Sequence, residues 1–166
     1  MISECEKILL THPGDIVEIG AGYGENTIKF LTLAEKYDRQ VIVIDPFETG
    51  WHQMPRYSYD LFCKITDEFK SKLVVHKLNS LSEEAEIICR NTNIAFAYID
   101  GLQYKGAVLS DLRIVSHAVC ICVDNMDRVT GESHVPATVK QFVAECCSCS
   151  LSGKYLTING RWGFIR

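Results

Sequence analysis

The chain has 166 residues, of which 47% are hydrophobic and 23% charged, and its net charge is −4. That length suits one domain, spanning 1–166, that buries about 70% of its unfolded surface. The charge balance excludes an electrostatic footprint for nucleic acid or an anionic membrane, and no apolar run reaches membrane-spanning length.

Taken in order, residues 1–13 predict a short lead-in helix stopped by His12-Pro13-Gly14. Glu4, Glu6 and Lys7 interrupt any apolar core a secretory leader would need. The run 16–19 has the apolar character of a strand buried in a parallel sheet. Gly20, Gly22 and Gly24 follow at alternate positions, where a backbone turns sharply and can lie close to a ligand. Ile28, Leu31 and Ala34 then recur at helical spacing, so the turn leads into a helix N-terminus with N–H groups to offer.

Residues 41–44 predict a second buried strand, ended by Asp45. The segment 46–59 is aromatic and turn-rich, and a helix carrying Phe62, Ile65 and Phe69 follows it. A third strand over 73–78 precedes a helix marked by Leu81, Ala85 and Ile88, with Ser80 or Ser82 as its cap. The strand 94–99 ends in Asp100-Gly101, and Val108, Leu112 and Val115 mark the next helix. The strand 118–123 ends in Asp124-Asn125, and a polar loop over 126–135 leads to Pro136 and a helix bearing Val139, Phe142 and Cys146. Finally, 155–158 and 162–165 flank Asn159-Gly160, a strong signal for a two-residue hairpin.

This alternation predicts an α/β architecture: a Rossmann-like, doubly wound, mostly parallel seven-stranded sheet closed by a C-terminal antiparallel hairpin. Ligands of such sheets lie outside the carboxyl ends of the strands, near the switch in strand order. Gly20, Asp45, Asn79-Ser80, Asp100 and Asp124-Asn125 all terminate strands there. The eight cysteines fall inside apolar segments rather than in a loop-rich scaffold. They predict reduced thiols packed as small hydrophobes, and a cytoplasmic compartment.

The run Glu18-Ile19-Gly20-Ala21-Gly22-Tyr23-Gly24, Asp45 after the second strand, Ile99-Asp100-Gly101 after the fourth and the closing hairpin together resemble a class I S-adenosylmethionine-dependent methyltransferase. A nicotinamide-binding Rossmann domain also uses glycines and an acid after the second strand. It wants a small residue where this chain has Glu25, and its sheet ends in a parallel strand. The methyltransferase resemblance implies S-adenosyl-L-methionine as cofactor, with a binding set of Glu18, Gly20, Ala21, Gly22, Gly24, Asp45, Pro46, Phe47, Asn79, Ser80 and Asp100. In that set Asp45 accepts the two ribose hydroxyls, an ionised carboxylate offering two acceptor oxygens. Phe47 packs near the adenine, and Asn79 or Ser80 reaches its edge.

Asp100 with Asp124-Asn125 resembles the metal set of catechol-type O-methyltransferases, which implies Mg²⁺ held by Asp100, Asp124 and Asn125. Two carboxylates and an amide oxygen suit a hard divalent cation. The stretch Asp100-Gly101-Leu102-Gln103-Tyr104, with Asp111-Leu112 beyond it, resembles a related group that includes macrocin-type sugar O-methyltransferases. Gln103 departs from both patterns, standing where they place lysine or histidine, and it accepts no proton at neutral pH. Asp100, His52 and His134 are therefore the candidate catalytic residues, with Lys105 as a further substitute base. Trp51, His52, Met54, Tyr57 and Tyr59 either line an acceptor pocket or pin a long loop.

The reading at this level is a methyltransferase acting on a hydroxyl of a small molecule such as a sugar or phenol, with Mg²⁺ assistance. Acceptor recognition is expected from the 46–59 and 126–135 loops, a second copy in a homodimer, or a partner subunit. Its alternatives are a metal-independent N- or carboxyl-methyltransferase and a non-catalytic cofactor-binding subunit.

Overall fold

The computed structural model describes residues 1–48, 59–127, 134–148 and 155–166. In chain order the elements are α1 (Ile2–Thr11), β1 (Asp15–Ile19), α2 (Glu25–Tyr37), β2 (Val41–Ile44), α3 (Tyr59–Thr66), β3 (Leu73–His76), α4 (Glu83–Asn91) and β4 (Ile94–Ile99). They continue with α5 (Lys105–Ile114), β5 (Cys120–Val123), α6 (Val135–Ser148), β6 (Leu156–Asn159) and β7 (Trp162–Ile165). A short 3₁₀ turn, Asp67–Phe69, follows α3 and takes Phe69 out of the single helix the sequence predicts. Ser82, not Ser80, caps α4, its hydroxyl accepting the Ala85 N–H.

The strands form one seven-stranded sheet in the order β3-β2-β1-β4-β5-β7-β6. β3, β2, β1, β4 and β5 are parallel, and β7 runs antiparallel to both β5 and β6. The chain winds outward from β1 to β3 and then returns to lay β4 against β1, which makes the β1/β4 junction the switch point.

Side chains alternate faces along a strand, and here both faces are covered, so the strands read as continuous apolar runs. Val17, Ile19, Ala97, Ile99, Ile121 and Val123 pack with Ala85 of α4, Val108 and Leu112 of α5 and Val139 and Phe142 of α6. Ile16, Val43, Phe96, Tyr98 and Cys122 pack on the other face with Leu9 of α1, Phe30 and Leu31 of α2 and Phe62 of α3. Burial pushes the Cys89 thiol up to about 12 and raises those of Cys5 and Cys122, keeping them protonated like small apolar groups. Among the described residues no helix is long and apolar enough to cross a membrane.

The closing hairpin differs from its predicted register by one residue. Asn159 pairs with Trp162, so Asn159 belongs to β6 and the two-residue loop is Gly160-Arg161. Gly160 takes the positive φ (57°) that the first loop position of a type II′ turn requires. The one-residue shift matters because it carries Arg161 to the end of β5, as described next.

Candidate functional site

Gly20, Asp45, Asp100 and Asp124 each stand one residue beyond β1, β2, β4 and β5. Each donates its N–H to the neighbouring strand, to the carbonyls of Ile44, His76, Ile19 and Ile99 respectively. The ladder itself therefore sets the four residues in a row along the carboxyl edge of the sheet.

The glycine turn needs all three of its glycines. Gly20, Gly22 and Gly24 have φ of 85°, 54° and 88°, in the left-handed region that L side chains avoid. At Gly20 the chain also runs against the β4 end, where a Cβ would lie 2.5 Å from the Asp100 carbonyl oxygen. Gly24 is the N-cap of α2 and supplies no side chain, so the first turn of that helix faces the site without a side-chain cap.

Asp45 holds this turn together. Its Oδ2 accepts the N–H groups of Ala21 (2.8 Å) and Gly22 (3.1 Å), and its Oδ1 accepts that of Phe47 (2.6 Å). The last contact helps keep Phe47 at φ 50°, an uncommon conformation for a bulky residue. Pro46 stands half-buried between the two. The Phe47 ring turns inward, 4.9 Å from Phe62 and 5.1 Å from Tyr59, and is buried in that aromatic cluster. The Asn79 carboxamide oxygen accepts the Leu81 N–H in a local turn ahead of α4. Both buried carboxylate oxygens of Asp111 are without a hydrogen-bond partner. Burial pushes that carboxyl up to about 6 against the opposing pull of Ser80.

Glu18 lies fully buried behind the turn, and its Oε2 accepts the Thr27 hydroxyl at 2.5 Å, tying β1 to the first turn of α2. Burial, opposed by that bond and reinforced by the nearby Asp100 and Asp45 charges, pushes its carboxyl up to about 8. A carboxyl protonated in the fold but ionised in the unfolded chain costs stability as pH rises from about 4.5 to about 8, roughly 1.4 kcal/mol per unit. The Glu18→Gln variant, which cannot ionise, should lose that slope. Thermal unfolding should place it above the wild type at pH 8 but not at pH 5. Parallel curves for the two proteins would refute a protonated Glu18.

At the other side of the switch point, Tyr98 bridges two carboxylates. Its hydroxyl lies 3.1 Å from Asp124 Oδ2 and 3.4 Å from Asp100 Oδ2, and it receives the Asn26 side-chain amide at 3.2 Å. Asn125, at φ 61°, points its amide nitrogen to Asp100 Oδ1 (3.2 Å), while its own buried carboxamide oxygen has no donor. Asp124 is wholly buried, and both its oxygens are bound by the guanidinium of Arg161 from the hairpin turn. Burial raises the Asp124 carboxyl, but Arg161 and the Asn125 N–H outweigh it and hold the group below the usual range. Asp100 is driven the opposite way, up, first by burial and then by the Asp124 charge beside it.

A cavity of about 10 Å³, space for one water, lies between Asp100, Gln103, Asp124, Asn125, Val108 and Val135. Five parallel strands with three helices on each face, a glycine turn at the β1/β4 switch and an antiparallel closing strand beside β5 together decide the fold. It is that of the class I S-adenosylmethionine-dependent methyltransferases.

Solved structures of that methyltransferase fold superpose over nearly the whole chain. The TDP-rhamnose 3′-O-methyltransferase of calicheamicin biosynthesis matches at TM-score 0.74 and 17% identity, over 99% of this chain and 77% of that one. A Podospora anserina methyltransferase bound to S-adenosylhomocysteine matches at 0.60 and 12%, over 98% and 77%. The mycinamycin-pathway methyltransferase, in complex with Mg and S-adenosylhomocysteine, matches at 0.64 and 9%, over 99% and 54%. No family model and no curated protein matches the sequence.

The methyltransferase fold brings Glu18, Gly20, Ala21, Gly22, Gly24, Asp45, Asp100, Asp124 and Asn125 to one edge. It leaves His134 exposed ahead of α6, where its carbonyl accepts the Thr138 N–H. Lys105 is exposed at the start of α5. His52 lies outside the described residues, as do Trp51, Met54 and Tyr57. Sequence reasoning missed Tyr98 and Arg161. Tyr98 was hidden in an apolar run, although its polar tip two residues before Asp100 on the same strand face was a usable signal.

Proposed function

We propose that this chain transfers the methyl group of S-adenosyl-L-methionine to a hydroxyl of a small molecule such as a sugar or phenol. The observation that carries the reading is the glycine turn, folded back on Asp45, directly beside the Asp100–Asp124 pair. One half is suited to the cofactor and the other to an oxygen nucleophile. The turn would take the amino-acid part of the cofactor against its main chain, and Asp45 the ribose. Methyl transfer is an in-line displacement at the sulfonium, and Asp100 and Asp124 are the groups that would receive the acceptor oxygen.

The oxygens of Asp100, Asp124 and Asn125 form a hard donor set, and the donorless buried Asn125 oxygen is the sort of atom a cation would satisfy. The residues fit Mg²⁺ in their chemistry. Bound to them, Mg²⁺ would lower the pKa of the acceptor hydroxyl and orient its oxygen. Gln103, which shares the cavity with these groups, takes no proton. With Asp124 engaged by the cation, the acceptor's proton would go to the Asp100 oxygen that the cation leaves free. In this structure the Asp100 oxygens face two neutral donors, the Tyr98 hydroxyl and the Asn125 amide.

Calorimetry of S-adenosylhomocysteine binding, with NADH as control, followed by turnover on a panel of hydroxylated acceptors with and without EDTA, tests the reading. Binding of S-adenosylhomocysteine alone and EDTA-sensitive methylation are the expected results; absence of S-adenosylhomocysteine binding to folded protein would sink it. A second reading, a cofactor-binding subunit without turnover that serves a partner, is favoured by Gln103 and by the Arg161 cover on Asp124. It predicts binding and no methylation on any acceptor.

A further inference from the structure

We propose that Arg161 is an internal cation that competes with a divalent metal for Asp124, so that the metal set opens only when the guanidinium leaves. This rests on the proposed Asp100, Asp124 and Asn125 metal set and adds a residue that controls it.

The case begins with Asp124. A carboxylate with no exposure needs a compensating positive charge, and its structure-given one is the Arg161 fork on both of its oxygens. A second cation at the same oxygens would meet both an occupied donor geometry and charge repulsion, so the two are mutually exclusive. Arg161 is built to leave. Its side chain is 48% exposed, at the tip of a two-residue turn, and reaches water by rotating its own bonds. The backbone stays in place meanwhile, because the Met126 N–H is bonded to the Arg161 carbonyl at 2.8 Å and Gly163 packs under the Met126 side chain. The independent sign that the Arg161-bound state leaves the set incomplete is Asn125, whose buried carboxamide oxygen has no donor while the guanidinium is in.

Coupling of this kind is reciprocal: whatever Arg161 takes from metal affinity, metal takes from the Arg161–Asp124 pair. Mn²⁺, followed by its electron paramagnetic resonance signal during titration of the cofactor-free protein, serves as probe. Arg161→Gln should bind it at least tenfold more tightly than wild type. Arg161→Lys, which keeps a charge but loses the fork, should fall between. Arg161→Gln with Asp124→Asn should lose binding again, and by removing the buried charge it should fold even if Arg161→Gln does not. Mn²⁺ should also raise the melting temperature of Arg161→Gln more than that of wild type.

Equal Mn²⁺ affinity in wild type, Arg161→Gln and Arg161→Lys overturns the competition. No Mn²⁺ binding by any of them overturns it together with the metal set. Neither result touches S-adenosylhomocysteine binding, whose failure would strike the proposed function alone.

Discussion

On the proposed cofactor mode, Asp45→Ala is expected to weaken S-adenosylhomocysteine binding by about 100-fold, since the two ribose hydroxyls would lose their carboxylate acceptor. The same change should destabilise the cofactor-free protein by roughly 2–3 kcal/mol, because the N–H groups of Ala21, Gly22 and Phe47 lose their shared carboxylate. The two effects are linked by a count of lone pairs. A carboxylate has about four acceptor sites, and three are already taken by main-chain donors. Both ribose hydroxyls can bind only if one of these donors lets go, so cofactor entry should loosen the glycine turn. Asp45→Asn, which keeps one acceptor oxygen, should lie between. Calorimetry and urea unfolding separate the roles: destabilisation with unchanged affinity would mean that Asp45 only braces the turn.

Gly20→Ala should be among the most damaging single methyl additions within the described residues, costing more than about 3 kcal/mol. Two penalties combine there. A left-handed φ of 85° alone costs an L residue about 1–2 kcal/mol. The added Cβ would also lie 2.5 Å from the Asp100 carbonyl oxygen and 2.8 Å from the Gly101 Cα, both backbone atoms of the adjoining strand end. Neither can swing aside as the end of a flexible side chain could. Gly160→Ala is the internal control. Its φ is also positive (57°), but a Cβ there would meet nothing within 4 Å, and its cost should stay near 1 kcal/mol. Against a total stability of about 5–15 kcal/mol, the first change should lower the urea midpoint markedly and the second only slightly. Similar urea midpoints for the two variants would remove the argument that β1 and β4 are in forced contact at the switch point.

Much of the architecture was legible in local pattern. Strands 16–19, 41–44 and 94–99 announced themselves as unbroken apolar runs because both faces of a parallel sheet are covered. The glycine spacing announced a turn because only glycine holds three left-handed residues in five positions. The strand-ending acids Asp45, Asp100 and Asp124 were legible as a row, since a parallel sheet sets the ends of its strands side by side. Element edges were less certain: the helix predicted through Phe69 breaks after Thr66, and the hairpin loop moved one residue to Gly160-Arg161.

What these side chains touch was a different matter. The sequence by itself determined that Gly20, Asp45, Asp100 and Asp124 stand at the carboxyl edge, because order along the chain and the parallel rule suffice for that. It did not place Asn79-Ser80, since β3 ends at His76 and a turn intervenes. Only the tertiary structure decided that Asp45 braces the turn, that Phe47 faces Phe62 and Tyr59, that Tyr98 spans two carboxylates and that Arg161 covers Asp124. The last pair is separated by 37 residues. They meet because β7 runs antiparallel beside β5, with Gly163 opposite Val123, which returns the hairpin turn to the β5 end. Periodicity reports which face a residue lies on, but not which distant strand becomes its neighbour, and a buried charge is compensated by whatever that neighbour brings.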